Sequence, residues 1–267
     1  MRDSLQLYFR YLALSIRAQM QYRWNFVFAT LGHGLITGIE FLGIAVLFAR
    51  FGSLRGWSLP EVALLYGIMS LAFALADAFA RGFDLFSRML KAGDFDRLLV
   101  RPRTTVLQLA GQEIVLRRIG RIAQGLAVLL WAASVLHLAW TPARLALLLG
   151  AVVGGACCFF GAFVLEATLA FWTVEGLEVM NTVTYGGVEA AQFPLSIYRP
   201  WFRRFFTFVV PLACISYFPA LVLLNRPERA HVPEALLWLT PFAGLLFLLV
   251  SLRVWQFGVR HYRSTGS

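Results

Sequence analysis

Five stretches of the chain stay apolar over roughly the 20 positions that a bilayer-spanning helix needs. They are Phe26 to Phe48, Val62 to Phe79, Ile122 to Leu138, Leu145 to Phe171 and Leu236 to Val254, separated by charged or Pro/Gly-rich breaks. Between the fourth and the last, residues 172–225 hold two more candidates. Thr182 to Tyr198 is moderately apolar, whereas Phe205 to Leu224 is strongly apolar but contains Pro211 and Pro219. Both can cross fully only if the two ends of the chain lie on opposite sides.

Ahead of the first stretch, Leu5, Phe9, Leu12, Ile16 and Met20 recur at spacings of four and three, with Arg10 and Arg17 to one side. This is the pattern of an amphipathic helix, here over residues 1–24, lying in the inner interface with guanidinium groups toward lipid phosphates. After the second stretch, Phe83, Phe86 and Leu90 fall on one helical face and Asp84, Ser87, Arg88 and Lys91 on another, and Gly93 is a natural stop. The spacing predicts a helix of about three turns lying flat beneath the membrane. Asp94 and Asp96 follow as a charged turn, and Leu98, Leu99 and Pro102 lead back toward the bilayer.

Composition agrees with the pattern. Apolar residues make up 59% of the 267 positions and charged residues 14%, and the mean hydropathy is +0.70, which rules out a soluble enzyme. The charge is basic, 24 Lys+Arg against 14 Asp+Glu, and could point to nucleic acid or anionic lipid; at this hydropathy lipid is the partner and nucleic acid is not. Lys91 is the only lysine, so no P-loop for ATP exists in the chain.

The cations set the orientation. With Phe205 to Leu224 as the fifth crossing, 19 fall on one side and 5 on the other; with the Thr182 segment instead, the split is 16 to 8. Both assignments give six crossings with cytoplasmic termini. Trp24, Trp57, Trp140, Trp172, Trp201, Trp238 and Trp255 lie near the ends of spans, as interfacial belt residues do. No signal peptide is expected, because the first 25 residues carry four arginines. Cys157, Cys158 and Cys214 and four scattered histidines give no disulfide or metal spacing, and no cofactor is called for.

Within the spans, ionisable residues are expensive and therefore candidates for function. Asp77 and Glu166 lie toward cytoplasmic ends, where pairing with Arg81 or with interface water is expected. For Glu40 and Glu189, an interhelical hydrogen bond and a place along a substrate path both remain open.

The run Gly-Asp-Phe-Asp-Arg-Leu-Leu-Val-Arg-Pro (93–102), together with Phe193-Pro-Leu-Ser-Ile-Tyr198, Pro211 and Ser216-Tyr-Phe-Pro219-Ala, resembles the permease subunits of ABC-2-type transporters. The resemblance covers essentially the whole chain. It implies an all-α membrane domain spanning residues 1–267, with residues 1–24 as a connecting helix and six spans at 26–48, 62–79, 122–138, 145–171, 178–197 and 236–254. Residues 83–93 become a coupling helix that docks on a separate ATPase, with Phe83, Phe86, Arg88, Leu90, Asp94, Asp96 and Arg97 as contacts. The family pattern also selects Glu178 to Ile197 as the fifth span and turns 205–224 into an external re-entrant hairpin broken at Pro211. The short turn Trp172 to Gly176 becomes a second cytoplasmic contact.

Function follows from the same resemblance: a non-catalytic permease of an ATP-driven exporter in a bacterial inner membrane. ATP binds on the partner ATPase subunits, and a second permease, related rather than identical, completes the path. Three other readings weigh less. A membrane enzyme lacks clustered His and Asp, a proton-coupled secondary carrier would show repeat symmetry, and an energy-coupling scaffold would lack the proline-rich hairpin.

Overall fold

The computed structural model describes residues 11, 13–112, 115–173, 177–230 and 232–262. Among these residues every regular element is a helix, and the one extended pairing is an isolated bridge between Leu54 and Trp57. Residues 13–20 are helical, with Leu14, Ile16 and Met20 exposed. Residues 1–10 and 12 of the expected interfacial helix, with Leu5, Phe9, Arg10 and Leu12, lie outside the described residues, as do residues 174–176 of the expected second cytoplasmic contact.

The first long helix, α1, is Arg23–Phe51, and α2 is Leu59–Asp84. Short helices α3 (Phe86–Lys91), α4 (Phe95–Leu99) and α5 (Thr105–Ala110) follow. Next come α6 (Ile119–Val135), α7 (Pro142–Leu169) and α8 (Leu177–Ala191). The chain ends through α9 (Pro200–Arg204), α10 (Leu212–Ile215), α11 (Tyr217–Leu223), α12 (Glu234–Leu239) and α13 (Phe242–His261).

Four helices are long and apolar enough to cross a bilayer: Arg23–Phe51, Leu59–Lys91, Pro142–Leu169 and Phe242–His261. A fifth would be the pair Pro200–Val209 and Leu212–Leu223, if read as one broken span; the pair is bent by 74° at the proline break read from the sequence. Helices α6 and α8 have 17 and 15 residues. Their length is about 25 and 22 Å, short of a ~30 Å hydrocarbon core.

The long helices pack in the order α1, α6, α2, α7, α13, each against the next. Helix α2 is the centre: 89% of its apolar stretch is buried within the chain, against 17% for α1. Glycine sets the closest approaches. A Cβ on Gly120 of α6 would meet the Thr30 carbonyl oxygen of α1 at 2.0 Å, and one on Gly244 of α13 would meet the Gly154 carbonyl oxygen of α7 at 1.9 Å. In hydrocarbon, helices gain by close packing rather than by leaving water, so small residues mark their contacts.

Polar contacts define the two ends of the bundle. At one end the start of α2 meets both the segment after α8 and the segment after α11. Trp57 Nε1 donates to Ser196 Oγ at 3.2 Å, Arg55 Nη1 donates to the Ser196 carbonyl at 3.4 Å, and Glu61 pairs with Arg226 at 2.6 Å. The Arg144 side chain, at the start of α7, donates to Asn225 Oδ1. Residues 196 and 225 therefore lie at the same end, on either side of the bent segment. At the other end, α3, α4 and α5 gather around the last turns of α2 and α13.

The segment after α2 departs from the expected flat helix at 83–93. Phe83 belongs to the last turn of α2, and the backbone ladder runs on across Leu85, whose N–H donates to the Arg81 carbonyl at 3.1 Å while its own carbonyl accepts from Met89 at 3.4 Å. Helices α2 and α3 thus form one 33-residue stretch, about 50 Å long and some 20 Å longer than the hydrocarbon core. No glycine or proline falls between Phe83 and Lys91 to turn the chain. The stop comes at Gly93, in the left-handed region with φ 72°, where the Asp94 N–H reaches back to the Met89 carbonyl.

Candidate functional site

The segment carrying the predicted coupling residues is built on aromatic rings. Trp255 of α13 is 1% exposed and stands at the centre of Phe83, Phe86, Phe95 and Phe171, with centroids 5.0 to 6.3 Å away. Its Nε1 donates to Thr105 Oγ1 at 3.0 Å, which fixes the indole against the start of α5. Such edge-to-face pairs add to area burial and hold ring orientation. Two belt assignments are corrected here: Trp57 and Trp255 are buried, whereas Trp24, Trp140, Trp172 and Trp201 are exposed as expected.

Phe83 and Phe86, predicted as a docking face, are 1% and 0% exposed and are consumed by this cluster. They are anchors rather than contacts, because the rings they meet come from α7, α13 and α4 of the same chain. Leu90 is half-buried. The outward surface includes instead Arg88, Lys91, Asp94, Arg97, Leu99, Val100 and Arg101. Asp94 and Arg97 pair at 3.1 Å in the open, and Asp96 is half-buried in the first turn of α4. Gln108 ties the loop shut, its Nε2 donating to the Leu98 and Arg103 carbonyls at 3.1 Å each.

A buried charge network lies just above. Asp77 of α2, 1% exposed, pairs with Arg118 at 2.6 Å, and Arg118 Nη1 also meets His33 Nδ1 of α1 at 3.4 Å. The expected partner, Arg81, pairs with Asp84 instead, three residues along its own helix. Arg118 wins because the turn before α6 is pinned to α2, where the Val115 N–H donates to the Ala78 carbonyl at 3.2 Å. Glu166 of α7 is 2% exposed, and its Oε2 has no hydrogen-bond partner among the described residues. Among the described residues no group of three or more His, Cys, Asp or Glu could hold a metal.

A family model described as ABC-2 family transporter protein matches residues 35–266, from within α1 to beyond α13. The chain belongs to the ABC-2 transporter family. It is therefore an ABC transporter permease: a multi-pass membrane subunit of a kind that works with an ABC ATPase and is generally not itself catalytic. No curated protein and no solved structure matches the chain.

Two acidic residues of the permease stand apart from the buried network. Glu40, near the middle of α1, and Glu189, at the end of α8, are exposed, and neither pairs with a described cation. Glu189 lies within electrostatic reach of Glu40 and of Arg121. The Arg121 guanidinium is turned inward, 4.7 Å from the centre of the Phe73 ring, with Nε and Nη2 buried and without hydrogen-bond partners among the described residues. Tyr185 sits one turn before Glu189 and is 37% exposed. Beyond the helix, burial and the nearby Glu189 push the Tyr198 phenol above its ordinary range.

Arg118, Arg121 and Trp255 were not singled out as site residues by the sequence. The first two sit in the run Leu-Arg-Arg-Ile-Gly-Arg, where they register only as inside-positive charge. The one available signal was their place directly before an apolar span, close enough to be drawn in beside an acidic residue of another helix.

Proposed function

We propose that this permease is the membrane subunit of an ATP-driven exporter, in a bacterial inner membrane with both termini cytoplasmic. A second permease, a related chain or another copy, faces it across the translocation path. The observation that carries this reading is the exposure of Glu40, near the middle of α1, among the exposed apolar side chains of Leu35, Ile36, Ile39, Leu42 and Val46, with Glu189 exposed near the end of α8. A bare carboxylate at membrane depth is too costly against lipid, so its surroundings are a water-filled path or a partner subunit.

Six crossings agree with the polar contacts at the two ends. The start of α2, the start of α7 and the segment after α8 share one end, while Trp255 of α13 meets Phe83 and Phe86 at the other. Residues 196 and 225 at one end favour a re-entrant hairpin over a fifth crossing between them. Coupling then runs through α3 and α4: the ATPase presses on the charged outer surface and the Phe86–Trp255 packing carries the movement into α2, α7 and α13. Hydrolysis takes place on the partner.

Glu40→Cys and Glu189→Cys variants, assembled with the ATPase in inverted vesicles, test the path with a membrane-impermeant thiol reagent. Both positions should react, at rates that change when a non-hydrolysable nucleotide is added. Silence at both from either aqueous side contradicts the reading.

A further inference from the structure

The two limbs of the bent segment, Pro200–Val209 and Leu212–Leu223, meet at 74°, and a cavity of about 340 Å³ lies between them. That volume is within the range of sites that take small molecules. Arg203, Arg204 and Thr207 line it from the first limb and Tyr217 and Phe218 from the second, while Phe208 stands at its edge, 82% exposed. Among the described residues no acidic side chain lines it. The backbone of the first limb is locally fixed. Its turn Phe205–Val209 is π-helical, with the Val210 N–H donating to the Phe205 carbonyl at 3.1 Å, and Thr207 Oγ1 donates to the Arg203 carbonyl at 2.7 Å.

Charge decides what fits. Three other arginines at this end are engaged: Arg55 with the Ser196 carbonyl, Arg144 with Asn225 and Arg226 with Glu61. Arg203 and Arg204 are exposed, and neither forms an ion pair among the described residues. The hairpin reading, on which this inference rests, puts both outside, against the usual bias of cations toward the cytoplasm. Orientation therefore does not account for them. Their depth follows from Ser196, which Trp57 holds at the end of the bundle only seven residues before Arg203. Trp201, 65% exposed, suits the same interfacial level, and arginine stems carry their guanidinium groups toward headgroups. Two uncompensated guanidiniums beside an aromatic wall complement an anionic head joined to an apolar tail. A free anion would leave Phe208 bare, and a zwitterionic lipid would leave the positive charge unbalanced.

We infer that this cavity binds an anionic phospholipid of the outer leaflet, with its phosphate on Arg203 and Arg204 and the start of an acyl chain along Phe208 and Phe218. The purified complex of permease and ATPase tests this in mild detergent, titrated with phosphatidylglycerol or phosphatidylcholine, with bound lipid counted by native mass spectrometry. Phosphatidylglycerol should be retained in preference, and glycerol phosphate, the head alone, should not displace it. R203Q/R204Q should weaken its binding about thirtyfold, the size expected for two arginines at an anionic lipid surface. R203K/R204K keeps both charges and should keep the preference. R199Q removes an exposed cation of the same segment that does not line the cavity, and should change nothing. Equal retention of the two lipids, displacement by glycerol phosphate, unchanged binding in R203Q/R204Q, or an equal loss in R199Q overturns the inference and leaves the hairpin standing. The hairpin has its own readout: an impermeant thiol reagent outside intact cells should label R204C above the parent, and labelling from the cytoplasmic side alone overturns that placement.

Discussion

The Phe86 ring meets the Trp255 indole edge-on, 5.0 Å between centroids and 73° between planes, and so joins the first residue of α3 to the last turns of α13. These two residues are 169 positions apart in the chain. Any force applied to α3 therefore reaches the last helix directly. Phe171, just beyond α7, lies against both rings, at 5.2 Å from each, so a further long helix is engaged at the same point.

Trp255→Ala removes the centre of the cluster and the hydrogen bond to Thr105. The expected cost is about 3–5 kcal/mol, as for truncation of a buried aromatic, read as a large drop in the midpoint of thermal unfolding in detergent. Trp255→Phe keeps most of the ring packing and gives up the Nε1 hydrogen bond, so it should cost only about 1 kcal/mol. Equal stability of the two variants would mean that the indole is not central.

Arg118→Ala leaves the Asp77 carboxylate buried without its partner and should destabilise by about 3–5 kcal/mol. Adding Asp77→Asn to the same chain should restore a good part of the loss, because the stranded charge is gone. Thermal unfolding of the two single variants and the double variant measures the coupling. Additive losses would show that the pair does not interact.

Glycine substitutions should sort by approach distance. Gly244→Val puts a side chain where the Gly154 carbonyl oxygen lies 1.9 Å from an ideal Cβ, so the α7–α13 contact must open and folded protein should be scarce in the membrane. Gly38→Ala, with nothing within 4 Å of the added methyl, should be close to neutral. Yield after solubilisation reads both.

How far the fold could be read from the sequence depended on how local the signal was. Apolar runs fell on the four helices long enough to cross a bilayer, though Leu236 to Val254 overran the break at Pro241 and the last helix is Phe242–His261, and the bend falls at Pro211, because hydropathy and proline geometry act over a few residues. Gly93 was likewise legible as a stop. The shape of the coupling segment was not: a face of Phe83, Phe86 and Leu90 looks the same whether it awaits a partner or is covered by its own chain. Only the fold brings Trp255 and Phe171 onto it. Asp77 met the same limit, since Arg81 is its neighbour in sequence but Arg118 is its neighbour in space.

The most direct measurement is co-purification of the permease with an ABC ATPase after the outer surface of α3 and α4 is reversed in charge. Arg88, Lys91 and Arg97 are exposed and lie outside the aromatic cluster, so R88E/K91E/R97E should fold and insert like the parent. The ATPase should be lost from the purified material, and with it ATP hydrolysis. A triple variant that retains the ATPase and full hydrolysis contradicts coupling through this surface.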